Sequence, residues 1–205
     1  MTLLRWIVVL LLFSPIAQGA GPAPTLVVLG DSLSAGYGLP RGAGWVNLLA
    51  QRLRQQGYPH RVVNASISGD TTLGGRNRLA TVLSQNRPAW VLIELGANDG
   101  LRGQPVDLMK ANLEAMVRQS KAQQAAVMLI GMRLPPNYGA AYGRDFTQVF
   151  KAVSTKHNVP LVPFLMEGFA QSREMFLSDG IHPAAAAQPL ILDTIWKTLG
   201  PLLGK

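Results

Sequence analysis

The sequence predicts an α/β fold in which a parallel sheet lies between layers of helices. Short apolar runs, rich in valine, leucine and isoleucine, are typical of buried strands. Longer segments between them carry apolar residues at helical spacing, which predicts helices with one buried face. Strands and helices alternate along the chain, and this alternation favours parallel strands joined by right-handed crossovers. The length of 205 residues suits one such domain with a sizeable core.

Five apolar runs predict the strands of the sheet. They cover residues 25–29, 61–64, 90–95, 126–130 and 161–163. Pro163 lies in the last run, and a proline cannot donate to a strand ladder. The fifth strand is therefore expected at an edge of the sheet, or to end at this residue.

Five helices are predicted between and after these strands. They cover residues 45–56, about 71–85, 106–123, a segment around 146–153, and 184–203. In the first helix the apolar residues share one face: Trp45, Val46, Leu48, Leu49 and Leu53. Gly74 and Gly75 weaken the start of the second helix. Residues 132–142 are expected to form an irregular loop.

The first twenty residues differ from the rest and predict a secretory signal. Arg5 supplies a positive charge, residues 6–13 form an apolar run too short to span a bilayer, and small residues lead up to residue 20. A single mature domain of residues 21–205 would follow; an uncleaved anchor is the alternative. The chain has no cysteine, which excludes disulfides, a thiolate nucleophile and a lipid-anchored cysteine. Export without cysteine suits the bacterial periplasm, with secretion to the medium as the other destination.

The basic charge of the chain indicates solubility more than a specific partner. The formal net charge is +8, and loss of Arg5 with the signal leaves +7. The basic residues are scattered, without a cluster that contains interleaved aromatic residues, so nucleic-acid binding is not expected. A weak attraction to anionic membrane surfaces or acidic substrates is compatible with the charge.

A candidate nucleophile follows the first strand. Ser32 stands in the sequence GDSLS at residues 30–34. This turn leaves the strand at the carboxyl edge of the sheet, where open α/β sheets bind their ligands. A serine hydroxyl held there could attack a carbonyl group. The alternative is that Ser32 only caps the next helix.

A candidate base lies just before the last helix. Asp179 and His182 stand three residues apart in DGIHP, and Gly180 lets the chain turn tightly between them. The carboxylate could fix the tautomer of the imidazole while the imidazole removes a proton from a hydroxyl. The alternative is a helix cap and a surface histidine. His60 and His157 each precede a strand, which places them at the opposite edge of the sheet.

Three donors could stabilise an oxyanion at the same edge. They are the backbone N–H of Ser32, the backbone N–H of Gly69 after the second strand, and the side-chain amide of Asn98 after the third. Gly69 could instead be only a turn residue, and Asn98 only a turn or cap residue. Together, however, the strand-end loops bring a hydroxyl and these donors to one edge.

These four blocks resemble those of the GDSL, or SGNH, hydrolases. The blocks are GDSLS at residues 30–34, the loop around Gly69, GAND at residues 96–99 and DGIHP at residues 179–183, and the match covers the mature chain in order. Residues 38–40 and 133–139 are similar to a subgroup of small periplasmic arylesterases, thioesterases and lysophospholipases. No Gly-x-Ser-x-Gly sequence is present, which argues against the α/β-hydrolase arrangement.

The resemblance implies a function and a set of site residues. Ser32 would be the nucleophile, His182 the base and Asp179 its orienting acid, with Ser32, Gly69 and Asn98 as the oxyanion hole. It further implies a three-layer, flavodoxin-like α/β/α fold and hydrolysis of fatty acyl esters, thioesters or lysophospholipids without metal or organic cofactor. Neither remaining acid of the blocks receives a catalytic role: Asp99 is expected to be a cap or turn residue, and Asp31 is assigned only to its turn.

An apolar groove for the acyl chain is expected at the rim of this site. The candidate lining residues are Leu73, Leu134, Pro135 and Tyr138, and the Gly74-Gly75 pair could make one side of the groove mobile. A monomer is expected. The alternatives are an esterase for acetylated sugars, a serine peptidase, and an exported solute-binding module without enzymatic activity.

Overall fold

The computed structural model describes residues 23–204, which fold around a five-stranded parallel sheet. The strands are β1 (Thr25–Gly30), β2 (Arg61–Asn64), β3 (Trp90–Glu94), β4 (Ala126–Ile130) and β5 (Leu161–Val162). Their order in the sheet is β2-β1-β3-β4-β5. β5 is an edge strand, as Pro163 predicts, and Gly30 at the end of β1 lies in register with Glu94 at the end of β3.

Helices cover both faces of the sheet. The α-helices of the described residues are α1 (Ser32–Ala35), α2 (Trp45–Gln55), α3 (Thr72–Asn86), α4 (Ala97–Leu101), α5 (Val106–Ala122), α6 (Ala140–His157) and α7 (Gln188–Leu199). α3, α5 and α6 pack side by side in one layer, and α2 packs beside α7 in the other. Within residues 23–204, no helix combines the length and apolarity needed to cross a bilayer.

The burial of the strands in the core explains why their sequences are continuous apolar runs. Every residue of β1 is buried, and so are all but the first residues of β3 and β4, because helices cover these strands on both faces. β2 lies at the other edge of the sheet, and none of its residues is fully buried. Trp45, Phe146 and Phe150 are among the largest side chains that fill the space between the sheet and the helices.

The structure differs from the predicted elements in three places. The sequence interpretation treated α1 and α4 as turns, because four or five residues are too few to show helical periodicity. The predicted loop at residues 132–142 contains a 3-10 turn and the first residues of α6. The last helix is shorter than residues 184–203: it is regular only over Gln188–Leu199 and is flanked by 3-10 turns.

Close packing, and not only chain flexibility, explains the glycine pair of α3. α3 begins at Thr72 and continues through both glycines. A Cβ atom on Gly75 would collide with the side chain of Leu95, and one on Gly74 would collide with the carboxylate of Asp70.

The predicted signal at residues 1–20 lies outside the described residues.

Candidate active site

Ser32 is the first residue of α1, directly beyond the carboxyl end of β1. Asp31 is the N-cap of this helix, and its Oδ1 accepts a hydrogen bond from the Leu33 N–H at 3.0 Å. Asp31 is fully buried, whereas Ser32 is partly exposed at the edge where β1, β2 and β3 end. The strand and the cap together fix where the hydroxyl stands. The alternative that Ser32 only caps this helix is therefore wrong, because the capping side chain is that of Asp31.

His182 and Asp179 meet Ser32 across 150 residues of sequence. The Nε2 atom of His182 lies 2.9 Å from the Ser32 Oγ, and its Nδ1 atom lies 2.7 Å from the Asp179 Oδ2. The other oxygen of Asp179 accepts hydrogen bonds from the backbone N–H groups of Ile181 and His182, at 2.8 and 3.0 Å. These backbone bonds, together with the imidazole contact, lower the pKa of Asp179 to about 2. The carboxylate is therefore ionised at neutral pH and can hold the ring in one orientation.

Arg173 fastens the loop that carries this pair. Its guanidinium donates hydrogen bonds to the carbonyls of Phe176, Leu177 and Ser178, at 3.2, 2.8 and 2.9 Å. The Leu177 N–H also donates to the His182 carbonyl at 2.8 Å, which closes the loop on itself. The sequence interpretation missed Arg173, because an arginine that binds backbone carbonyls leaves no pattern in the sequence.

Two other side chains contact His182 and the residue that follows it. The ring of Tyr37, which is 53% exposed, lies 4.5 Å from the imidazole, centroid to centroid. Gln188 is buried beneath the loop, where it donates to the Pro183 carbonyl at 3.1 Å and accepts from the Trp45 N–H at 3.0 Å. The sequence analysis assigned neither residue to the site.

The three predicted oxyanion donors differ in their availability. Within residues 23–204, the backbone N–H groups of Ser32 and Gly69 have no protein acceptor. Gly69 has a positive φ of 80°, which favours glycine, and its carbonyl is held by Arg102 at 2.9 Å. The amide of Asn98 is already engaged: its Nδ2 donates to the Asp31 Oδ2 at 3.0 Å and to the Asp70 carbonyl at 2.9 Å.

Two buried carboxyl groups lie behind the Ser32 turn. Burial raises the pKa of Asp31 to about 6, although its hydrogen bonds from Leu33 and Asn98 oppose this rise. Burial, followed by the nearby Asp31 charge, raises the pKa of Glu94 well above its ordinary value and favours its neutral form. The Ser34 hydroxyl donates to the Glu94 Oε2 at 2.7 Å. A Cβ atom on Gly30 would lie 2.8 Å from that same oxygen, which explains the glycine before Asp31.

Asp99 binds the first turn of a helix other than its own. Its carboxylate accepts hydrogen bonds from the backbone N–H of Thr72, at 2.9 Å, and from the Thr72 hydroxyl. Thr72 is the first residue of α3, whose N-cap is Thr71, so Asp99 satisfies a helix N–H group from another segment of the chain. The side chain of Asp70 pairs with Arg78 at 2.8 Å.

Known proteins match this chain over most of its length. A model of the GDSL-like lipase/acylhydrolase family matches residues 28–189. The chain belongs to this family. Esterase TesA of Pseudomonas aeruginosa is 51% identical over 181 residues, which cover 88% of this chain and 90% of that protein. Thioesterase 1/protease 1/lysophospholipase L1 of Escherichia coli K12 is 41% identical over 199 residues, with 97% and 94% coverage. A crystal structure of TesA matches with a TM-score of 0.86 at 51% identity, covering 87% of this chain and 99% of that one. The predicted family and the three-layer α/β/α fold are thus confirmed.

Two of the four residues expected to line a groove in this GDSL-family protein contact α4, the short helix that carries Asn98. Leu134 packs against Gly100 of α4, and the Tyr138 hydroxyl donates to the Leu101 carbonyl at 3.1 Å. Pro135 is exposed, and Leu73 is 51% exposed in the first turn of α3.

Other residues line the small indentation beside Ser32. Its walls come from Leu33, Tyr37, Leu39 and Pro183. A larger open depression of about 470 Å³ lies against Leu190 and Trp196 of α7 and includes no residue of the Ser32 site. Among the described residues, no group of three or more His, Asp or Glu side chains is placed to hold a metal ion.

Proposed function

We propose that this protein is a serine hydrolase that cleaves esters and thioesters of fatty acids. The observation that carries the proposal is the hydrogen-bonded series Ser32–His182–Asp179, with distances of 2.9 and 2.7 Å. Its relatives named esterase, thioesterase and lysophospholipase support the same class of substrate. Ser32 acts as the nucleophile, His182 as general base and acid, and Asp179 as the group that orients the imidazole.

The reaction proceeds by two acyl transfers. As the Ser32 hydroxyl attacks the acyl carbonyl, His182 takes its proton, and ionised Asp179 stabilises the imidazolium that forms. The tetrahedral intermediate collapses when the bond to the alcohol or thiol breaks, and His182 protonates that leaving group. Water then attacks the acyl-serine, His182 again accepts a proton, and the returning proton restores the Ser32 hydroxyl as the fatty acid leaves.

The N–H groups of Ser32 and Gly69, with the amide of Asn98, stabilise the oxyanion. The two backbone donors need no rearrangement, since they have no protein acceptor within residues 23–204. Asn98 must release one of its two present hydrogen bonds before it can donate to the oxyanion. Preorganised donors of this kind typically contribute about 10²–10³ each in rate.

The acyl chain lies over the apolar rim of the site. One side of this groove is formed by Leu73, in the helix after β2, and by Leu134, Pro135 and Tyr138, on the segment after β4. Exposed Ile67 and Ile181 add apolar surface beside Gly69 and His182. This apolar surface suits fatty acyl chains, including those of lysophospholipids.

The location and state of the protein form part of the proposal. The N-terminal apolar run at residues 6–13 supports export to the periplasm, with residues 21–205 as one mature monomeric domain. The basic net charge supports a weak association with anionic membrane surfaces. Light scattering of the purified mature chain tests the monomer, and a stable dimer would refute it.

A matched series of substrates tests the reaction and its substrate class. Hydrolysis is measured on aryl esters from acetyl to palmitoyl, on acyl thioesters of the same lengths, and on lysophospholipid, with Ser32→Ala as the control. Turnover of long-chain esters and thioesters that is lost in S32A is expected. Turnover confined to acetylated sugars would refute the substrate class, and an S32A variant as active as the wild type would refute the mechanism.

A further inference from the structure

The buried carboxylate of Asp31 joins the two halves of the Ser32 site. Its Oδ1 accepts from the Leu33 N–H at 3.0 Å, within the turn that presents Ser32. Its Oδ2 accepts from the Nδ2 of Asn98 at 3.0 Å, on the loop after β3. One side chain therefore fixes the nucleophile turn and the amide donor relative to each other, although they are 67 residues apart.

We propose that Asp31 is a positioning residue, whose carboxylate orients the Asn98 amide so that this amide can donate to the oxyanion. The inference rests on the proposed function, because it requires Asn98 to act as an oxyanion donor. Asp31 itself touches neither the substrate nor the reacting atoms.

The two bonds of the amide differ in strength, and this difference decides which one is released. The Asp31 carboxylate is a charged acceptor, whereas the Asp70 carbonyl is a neutral one. Charge-assisted hydrogen bonds are roughly twice as strong as neutral ones. The amide therefore exchanges its bond to the Asp70 carbonyl for a bond to the oxyanion, by a small rotation about the bond to Asp31, which it keeps.

Capping alone does not require a charge at residue 31. Serine, threonine and asparagine cap helices about as well as aspartate. Asp31 has no exposed surface. Burying a carboxylate costs free energy unless hydrogen bonds or charges replace its contacts with water. The bond to Asn98 explains why a carboxylate, with two acceptor oxygens, stands there: an amide offers one acceptor oxygen and a hydroxyl cannot reach both partners.

The charge of Asp31 depends on its surroundings. The titratable groups that face it are Glu94 from β3, Asp70 from the loop before α3, and His182 from its loop. Arg78 of α3 approaches the same turn, where it donates to the Gly30 carbonyl at 3.3 Å. Burial raises the pKa of Asp31 to about 6, so the carboxylate is charged at pH 8 and loses its charge under mildly acidic conditions.

The substitution Asp31→Asn tests the proposal, because it keeps the shape and removes one acceptor. We expect kcat to fall about 10- to 100-fold, the effect of a lost charge-assisted hydrogen bond, with KM changed less than about threefold. The matched control is Glu114→Gln, the same carboxyl-to-amide change at a largely buried carboxyl group of α5, which pairs with Lys156 at 2.8 Å and lies outside the Ser32 site. Its kcat should stay within about twofold of the wild type. A D31N enzyme with wild-type kcat, or an equal loss in E114Q, would overturn the proposal.

A double-mutant cycle shows whether Asp31 acts through Asn98. In an Asn98→Ala background, D31N should change kcat less than about twofold, because the amide to be oriented is gone. Equal losses in both backgrounds would overturn the proposal. If D31N does not fold, Asp31→Ser replaces it in the same cycle, since serine keeps an N-cap acceptor for Leu33 and gives up the contact with Asn98.

The pH profile provides a readout that a purely structural residue would not change. The ratio of wild-type to D31N activity should depend on pH, because only the wild type gains a charge at residue 31 as the pH rises through about 6. The wild type should exceed D31N about 10- to 100-fold in kcat at pH 8, and the two rates should approach each other below about pH 6. A ratio that stays constant across this range would overturn the role of the charge. The S32A variant separates the two proposals: an active S32A refutes the proposed function, whereas an inactive S32A with a fully active D31N refutes only the role of Asp31.

Discussion

The buried carboxylate of Asp31 should make the protein less stable as the pH rises. Its pKa in the folded protein is about 6, compared with an ordinary value of 3.8. Because the folded state binds this proton more tightly than the unfolded chain, the contribution to stability is fully present below about pH 4. It is lost as the pH rises through about 6. Each pKa unit corresponds to 1.36 kcal/mol, so the loss amounts to ~3 kcal/mol.

The variant Asp31→Asn isolates this contribution, since asparagine does not titrate. The free energy of unfolding is measured by urea denaturation of the wild type and D31N at several values between pH 4 and pH 8. The difference between the two proteins should change by ~3 kcal/mol in favour of D31N across this range. Asp179 does not disturb the comparison, because it is present in both proteins. Parallel curves, which differ by a constant amount at every pH, would refute the assignment of a raised pKa to Asp31.

Substitutions at three residues test the remaining parts of the site. Asn98→Ala should fold normally and lose about 10²–10³ in kcat, as measured by steady-state hydrolysis of an aryl ester; full activity would remove Asn98 from the oxyanion hole. Arg173→Ala should lower kcat about 3- to 30-fold, because the loop that carries His182 loses three hydrogen bonds to its carbonyls. Hydrogen exchange at the backbone amides of residues 176–182 should become faster, and an unchanged exchange rate would contradict the role of Arg173. Tyr37→Ala should lower kcat about 2- to 10-fold through loss of ring packing on His182, while Tyr37→Phe keeps the ring and the rate; equal rates in all three enzymes would show that the ring is not needed.

The sequence predicted the sheet well because its signals are local. Fully buried parallel strands are apolar in every position, so β1, β3 and β4 could be placed almost to the residue. The parallel arrangement then brings the ends of neighbouring strands to one edge, which is how residues as distant as Ser32 and Asn98 could be expected in one place. The family blocks pointed to the same residues.

The residues that hold the site in place through tertiary contacts could not be predicted in the same way. Asp31 looked like a turn residue because its second partner, Asn98, is 67 positions away. Arg173 donates to backbone carbonyls, which every residue possesses, so no residue type in the loop could indicate that an arginine binds there. Gly75 suggested a flexible segment in the sequence. In the structure a glycine is required there because the side chain of Leu95, just after β3, packs against it. Each of these contacts is created by tertiary packing.

The nucleophile is tested most directly by covalent labelling. The purified protein is treated with a fluorophosphonate, digested, and analysed by mass spectrometry to locate the adduct. We expect one adduct per chain, on Ser32, formed much more slowly when His182 is replaced by alanine, because the hydroxyl then has no base at 2.9 Å. An adduct on another serine, or rapid hydrolysis of a long-chain ester by a protein that takes up no label, would contradict the account.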